Sequence, residues 1–187
     1  MATSIVKADE LRLLNDNVLM SNGALTGNVT FPAGHVIQTE YSYFDDHFVT
    51  TGQADSGLSG TINVSSASND VVIICSLLWM SSSNEAYFAL CLSDNTIINR
   101  ADQYGARNAQ GRYHWGSVYG DSSYLSYGVK RDTFSTIYSP NAVGDLTIKV
   151  RSHVVSGSIV MNRNIHDNNR FADPTGISTM ILMEIQR

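Results

Sequence analysis

Turn-forming residues interrupt this chain so often that little room is left for helix. Gly, Ser, Asn and Asp recur throughout, and the segments between them are short. Short strand-like segments between closely spaced turn signals predict an all-β sandwich or barrel. Val36 to Phe44 (VIQTEYSYF), Phe48 to Thr51, Gly60 to Val64 (GTINV) and Ala86 to Leu92 (AYFALCL) all read as strands. Leu146 to Arg151 alternates, with Leu146, Ile148 and Val150 on one side and Thr147, Lys149 and Arg151 on the other. That is the period of a half-buried strand. Ser158 to Asn162 follows the turn Ser156-Gly157, which predicts a hairpin between these two segments. Roughly eight to ten strands suit a jelly-roll-like antiparallel sandwich. Only Ala8 to Leu14 (ADELRLL) has helix-forming composition, and about two turns are marginal without packing.

Two segments are apolar on both faces. Val71 to Met80 (VVIICSLLWM) has no polar side, and Ser178 to Ile185 (STMILMEI) ends apolar on both sides except at Glu184. A strand with a solvated face alternates, so these two need a cover on each side. Symmetric association of identical chains is the common solution. Glu184 then needs a partner, because a buried unpaired charge is expensive. Arg151 and Arg163 are available for that role.

Composition narrows the function classes. Asp, Glu, Lys and Arg make up 16% of the chain, against about 25% in typical domains. Three lysines, Lys7, Lys130 and Lys149, are present, and the net charge is -5. This excludes a charged disordered tail, and it offers no basic footprint for nucleic acid. No apolar stretch suits a transmembrane helix, and Met1 to Leu14 lacks the apolar core of a secretory signal. Cys75 and Cys91 sit within apolar runs and read as buried thiols, although two cysteines alone do not decide a disulfide.

Two regions depart from the strand pattern. Residues 1–30 are sparse in apolar residues and read as an extended attachment or oligomerisation arm ahead of a sandwich domain over 31–187. Asn99 to Tyr127 interleaves aromatics with Gly, Ser, Asn and Arg. Rigid aromatics among adaptable polar residues are the composition of a recognition surface. The candidate ligand-binding residues are Tyr104, Arg107, Arg112, Tyr113, Trp115 and Tyr119. The same aromatics also suit a cover for the sandwich or a subunit interface.

Signatures of catalysis are missing. The sequence has no HExxH, Walker A, GxSxG or cysteine pair at metal spacing, and no cofactor motif. Asp45-Asp46-His47 is the most metal-like triplet. Adjacent strand residues point to opposite faces, so it reads as a solvated turn. Asp167-Asn168-Asn169 reads as a polar turn too. The expectation is a protein without enzymatic activity, metal or cofactor.

Several motifs together resemble a domain of structural and tail-fibre proteins of marine bacteriophages, including those of cyanobacteria. Gly34-His35-Val36-Ile37-Gln38 matches the family's opening Gly-x-Val-Ile/Val-Gln strand. Gly57 to Ile62 matches its Gly-Leu-x-x-Thr-Ile strand, and Val71 to Trp79 its apolar strand. Ser139-Pro140, Leu146 to Arg151, Gly157-Ser158, Asn162-Arg163 and a closing Ser178 to Ile185 follow in the family's order. The resemblance covers residues 31–187. It implies a trimeric β-sandwich on the exterior of a virion, without enzymatic activity. Its partners would be two further copies of the chain, another virion protein gripped through residues 1–30, and a host-surface polysaccharide. A tail-fibre tip or knob and a capsid decoration protein both fit.

Overall fold

The fold was determined as a computed structural model, which describes residues 10–12, 18–21, 24–25, 32–82, 86–98, 129–154, 157–163 and 175–187. The chain divides into two compact units, Met1–His35 and Val36–Arg187. The first contains a small antiparallel sheet of β1 (Glu10–Arg12), β2 (Val18–Ser21) and β3 (Ala24–Leu25). Here the helix-forming composition of Ala8 to Leu14 misleads. Leu11 pairs with Met20 across β1 and β2. A two-turn helix has too few hydrogen bonds to offset its nucleation cost, so pairing with a neighbour wins.

The second unit is an antiparallel β-sandwich, as the sequence predicts. One sheet has the order β6 (Ala54–Val64), β10 (Gly144–Val154), β8 (Ala86–Leu92). The other is six-stranded: β4 (Val36–Phe44), β12 (Ser178–Ile185), β7 (Asp70–Ser81), β11 (Ile159–Met161), β5 (Phe48–Thr50), with β9 (Lys130–Tyr138) on β7. Two pairs of strands run end to end. One edge of β7 pairs with β12 over Asp70 to Ser76 and with β11 over Trp79 to Ser81. β4 and β5 continue the next row in the same way. The large sheet is thus four rows wide: β4/β5, β12/β11, β7, β9. Successive rows along the chain alternate between the sheets, and the first and last rows lie side by side. That is jelly-roll connectivity.

The predicted hairpin between β10 and β11 does not form. Both edges of β10 are taken, by β6 and by β8. The chain instead crosses at Gly157, which has a φ of +79°, into the large sheet. β11 is buried at every position, and a strand apolar all round needs a place between neighbours. A Ser-Gly signal marks a turn but does not choose which strands pair.

The core lies between the sheets. Val71, Ile73, Cys75, Leu77 and Trp79 of β7 face Leu58, Ile62, Phe88, Leu90, Ile148 and Val150 of the small sheet. Trp79 and Phe88 meet edge to face at 5.0 Å between ring centres, a favoured aromatic geometry. The Trp79 indole donates to Asp132 Oδ2 at 2.8 Å, so its buried N–H is satisfied. Cys75 and Cys91 are both buried free thiols. Burial among these side chains pushes the Cys75 thiol up to about 12, which keeps it protonated and inert.

Candidate interaction surface

The six residues singled out for ligand binding, Tyr104, Arg107, Arg112, Tyr113, Trp115 and Tyr119, lie outside the described residues, as do His166 and Asp167-Asn168-Asn169. What the structure places on view is the outer face of the large sheet. Register alone brings its side chains into three complete rows across the four strands. One row is Tyr41, Ile181, Ile74 and Ser135. Those flanking it are Thr39, Met183, Val72 and Ile137, and Tyr43, Thr179, Ser76 and Thr133. None of these residues is charged. The alternation of each strand sends the opposite set, such as Ile73 and Leu182, into the core.

Large apolar and aromatic groups remain open to solvent on this face. Tyr41 and Tyr43 are 57% and 60% exposed, and their rings stack at 6.3 Å. Ile137 is 55% exposed. Charge lies just beyond the rows at both ends: Asp70, beside Ile185 and 3.7 Å from Arg187, at one, and Arg131, beside Leu78, at the other. Arg131 is tied into the sheet, donating to Ser76 Oγ at 3.1 Å and to Ile177 O at 3.3 Å. Gly176 permits the close pass that this needs, because a Cβ there would lie 2.6 Å from Leu78. Extended uncharged apolar surface of this kind marks an interaction site.

The outer face of the small sheet differs in chemistry. Asn63 donates to Asp145 at 2.6 Å, and the Thr61 and Thr147 hydroxyls are 2.8 Å apart. Asp55 pairs with Lys149 at 2.8 Å and with Arg151 at 2.9 Å. A bulge makes that double pairing possible. The register shifts between Lys149 and Arg151, which stand opposite Ser59 and Asp55. Gly57 takes a φ of +87° within the shifted stretch, with the Phe44 ring packed where a Cβ would be. Positive φ at glycine is the usual device of such a bulge.

Two buried polar clusters hold the rows of the large sheet in place. Asn162 sits where the ends of four strands, β4, β5, β11 and β12, meet, at 1% exposure and a φ of +63°. Its amide donates to Phe44 O and Asp46 O at 2.8 and 3.0 Å, fixing the exposed turn Asp45-Asp46-His47 between β4 and β5. Its Oδ1 accepts from Ser178 Oγ at 2.7 Å, and that oxygen in turn accepts from Leu78 N–H at 3.0 Å. At the other end lies Glu184, fully buried. Its partners are neither Arg151 nor Arg163. Gln38 donates to one oxygen at 2.6 Å, while Ser65 N–H, Ser65 Oγ and Asn69 donate to the other at 2.8, 2.7 and 2.7 Å. Burial alone would raise the Glu184 carboxyl, but these four hydrogen bonds outweigh it and hold the group below its ordinary value. The partner that a buried Glu184 needs, positive or hydrogen-bonding, is thus of the second kind, supplied by Gln38 and by a loop of small polar residues beside the strand.

β9 escaped the sequence reading, and with it one quarter of this face. Its signal is the alternation in Lys130 to Tyr138, where Phe134 and Tyr138 pack on the core while Thr133, Ser135 and Ile137 face outward. Among the described residues, no group of His, Cys, Asp and Glu could hold a metal ion, and no helix is long and apolar enough to cross a membrane.

No family model and no curated protein matches the chain. Among solved structures it is similar to the infectious bursal disease virus VP2 subviral particle, at 12% identity and a TM-score of 0.34, over 80% of this chain and 40% of that one. It is also similar to a structure of the Gx strain of that virus, at 12% identity and a TM-score of 0.33, over 87% of this chain and 43% of that one. The chain thus spans less than half the length of either.

Proposed function

We propose that this chain is a bacteriophage virion structural protein: a homotrimeric, surface-exposed appendage of the tail-fibre or knob type. The uncharged middle rows on the outer face of the large sheet carry this reading. A protein that pairs its charges on one face and leaves the middle rows of the other free of them has a surface suited to assembly. The sequence resemblance supplies the setting; its Val36 to Gln38, Gly57 to Ile62, Val71 to Trp79, Leu146 to Arg151 and Ser178 to Ile185 motifs fall on strands of the sandwich, and Ser139-Pro140, Gly157-Ser158 and Asn162-Arg163 between them. Jelly rolls serve capsids and lectins alike, so the connectivity by itself does not choose a role. In this reading the protein's work is assembly and adhesion, with no catalytic step. Antibody labelling of purified particles is the test. Label on the exterior, at sites of three-fold density, is expected, and particles free of the chain would overturn the reading.

The same reading gives Asn99 to Tyr127 the task of holding host-surface polysaccharide, with aromatic faces stacking on sugar rings. Trp115→Ala and Tyr119→Ala should each weaken binding to host cells about tenfold, the equivalent of about 1.4 kcal/mol for a lost stacking contact. Undiminished binding by well-folded variants would remove the site from that segment.

A second reading is a capsid decoration protein that clamps head subunits through residues 1–30. It is favoured by one observation: Met1–His35 forms a compact unit with its own sheet. Deleting residues 1–30 should then leave soluble oligomers that no longer attach to heads. Full occupancy by the shortened protein would exclude the clamp.

A further inference from the structure

We propose that the outer face of the large sheet is the core of the homotrimer, with three copies turning it onto a common three-fold axis. The inference rests on the homotrimeric reading above and assigns its interface.

Charge selects the occupant. The three rows that cross the face carry none, so identical rows meet about an axis without bringing like charges together, while Arg131 and the Asp70–Arg187 pair lie beyond them at either end. Among the described residues of the sandwich, the outer face of the small sheet is not so matched. The small sheet presents Asp55, Asp145, Lys149 and Arg151. Residues 1–16 include Lys7, Asp9, Glu10, Arg12 and Asp16, and the aromatic segment includes Arg100, Asp102, Arg107, Arg112 and Asp121. Burying any of these against the uncharged rows would strip a charge of water without a counter-charge.

Chemistry along the rows agrees. The two middle strands place Ile74 beside Ile181 and Val72 beside Met183. The flanking strands carry the hydroxyl groups of Tyr41, Tyr43, Thr133 and Ser135. An apolar centre with a polar rim is the anatomy of a protein interface.

Dimensions agree as well. Four strands at a spacing of about 4.8 Å make a face about 19 Å wide. Three such faces closing as a triangular prism put each backbone about 5.5 Å from the axis, near half the ~10 Å at which two sheets pack. Isoleucine and methionine side chains fill that distance.

Two variants of the full chain test this by sedimentation equilibrium. Wild type should have the mass of three chains. Ile181→Lys places three ammonium groups at the axis and should sediment as single chains at micromolar concentration, with the β circular dichroism of wild type. Ser59→Lys, on the small sheet, should remain trimeric. The second variant joins Tyr41→Cys to Ser135→Cys. Within one copy these positions are three strand spacings apart, about 14 Å, beyond the ~7 Å Cα limit of a disulfide. Oxidation should therefore close a covalent trimer between copies, visible on a non-reducing gel. That gel decides the matter if Ile181→Lys does not fold. Trimers that survive Ile181→Lys and yield no covalent trimer would overturn the assigned face and leave the homotrimer standing. A monomeric wild type would overturn both, and a dimer would overturn the three-fold arrangement.

Discussion

The two outer faces of the sandwich are built from the same kind of strand, yet they are finished differently. On the small sheet each exposed row closes on itself: Asn63 with Asp145, Thr61 with Thr147, and Asp55 with both Lys149 and Arg151. The polar groups of those rows are satisfied across the strands, and Lys149 and Arg151 are largely covered, at 15% and 18% exposure. The rows of the large sheet hold isoleucine, methionine, valine, tyrosine and hydroxyl residues, and no charge. Nothing in those rows needs a cross-strand partner, and much of them gains by leaving water. The difference teaches that scarcity of charge is not spread evenly over this protein. Charge is gathered in pairs on the small sheet and absent from the three middle rows of the large one.

The largest effect expected from a single substitution is one that removes both faces together. Trp79 lies in the shared core, touching Phe88 of the small sheet and donating to Asp132 of β9. Trp79→Ala should cost about 3–5 kcal/mol, and Asp132 loses its indole donor as well. Denaturant melts of the variant should show one cooperative transition at a much lower midpoint. A loss below about 1 kcal/mol would mean that the two sheets do not depend on this contact.

Glu184 comes next, because it fixes the large sheet alone. Glu184→Gln keeps the shape but sets an amide N–H₂ against groups that are themselves donors. A loss of about 2–3 kcal/mol is expected for burying mismatched polar groups. The acid behaviour has a definite sign. The native carboxyl titrates below its ordinary 4.5, so its contribution is complete above that value. It is lost as pH falls from there through the depressed native value. Wild type should therefore lose stability in that acid window, and Glu184→Gln should lose less. Equal acid sensitivity in the two proteins would remove Glu184 as the cause.

How much of this was legible beforehand depends on what each element needed. Period-two alternation and apolar runs placed β4, β8 and β12 residue for residue, because strand geometry is local. The doubly apolar run of β7 was legible as a strand whose outward side is apolar as well. Pairing was not local, and so the β10–β11 hairpin failed: the edges of β10 were claimed by strands far away in sequence. The interaction face was half visible for the same reason. Ile74 and Ile181 could each be read as outward-facing, but their alignment with Tyr41 and Ser135 exists only through register. Asn162 read as the end of the segment Ser158 to Asn162, and its hydrogen bonds to Phe44, Asp46, Ser178, Leu78 and Gly176 could not be foreseen from its position in the chain.

The smallest expected effects make the sharpest comparison between the faces. Asp55→Ala removes the partner of both Lys149 and Arg151 on the small sheet. Asp55 is half exposed, so the pairing is screened by water and salt, and the cost should be about 0.5–1 kcal/mol at low salt. It should shrink further as ionic strength rises, with the oligomeric state unchanged. Ser135→Lys makes the reverse experiment on the large sheet. Its side chain points outward from β9, so the stability of a single chain should change by no more than about 0.5 kcal/mol. Association, however, should weaken, because a charge now enters the rim of rows that had none. One substitution thus touches stability and spares assembly, while the other touches assembly and spares stability. If Asp55→Ala were the variant that dissociated, the roles of the two faces would have to be exchanged.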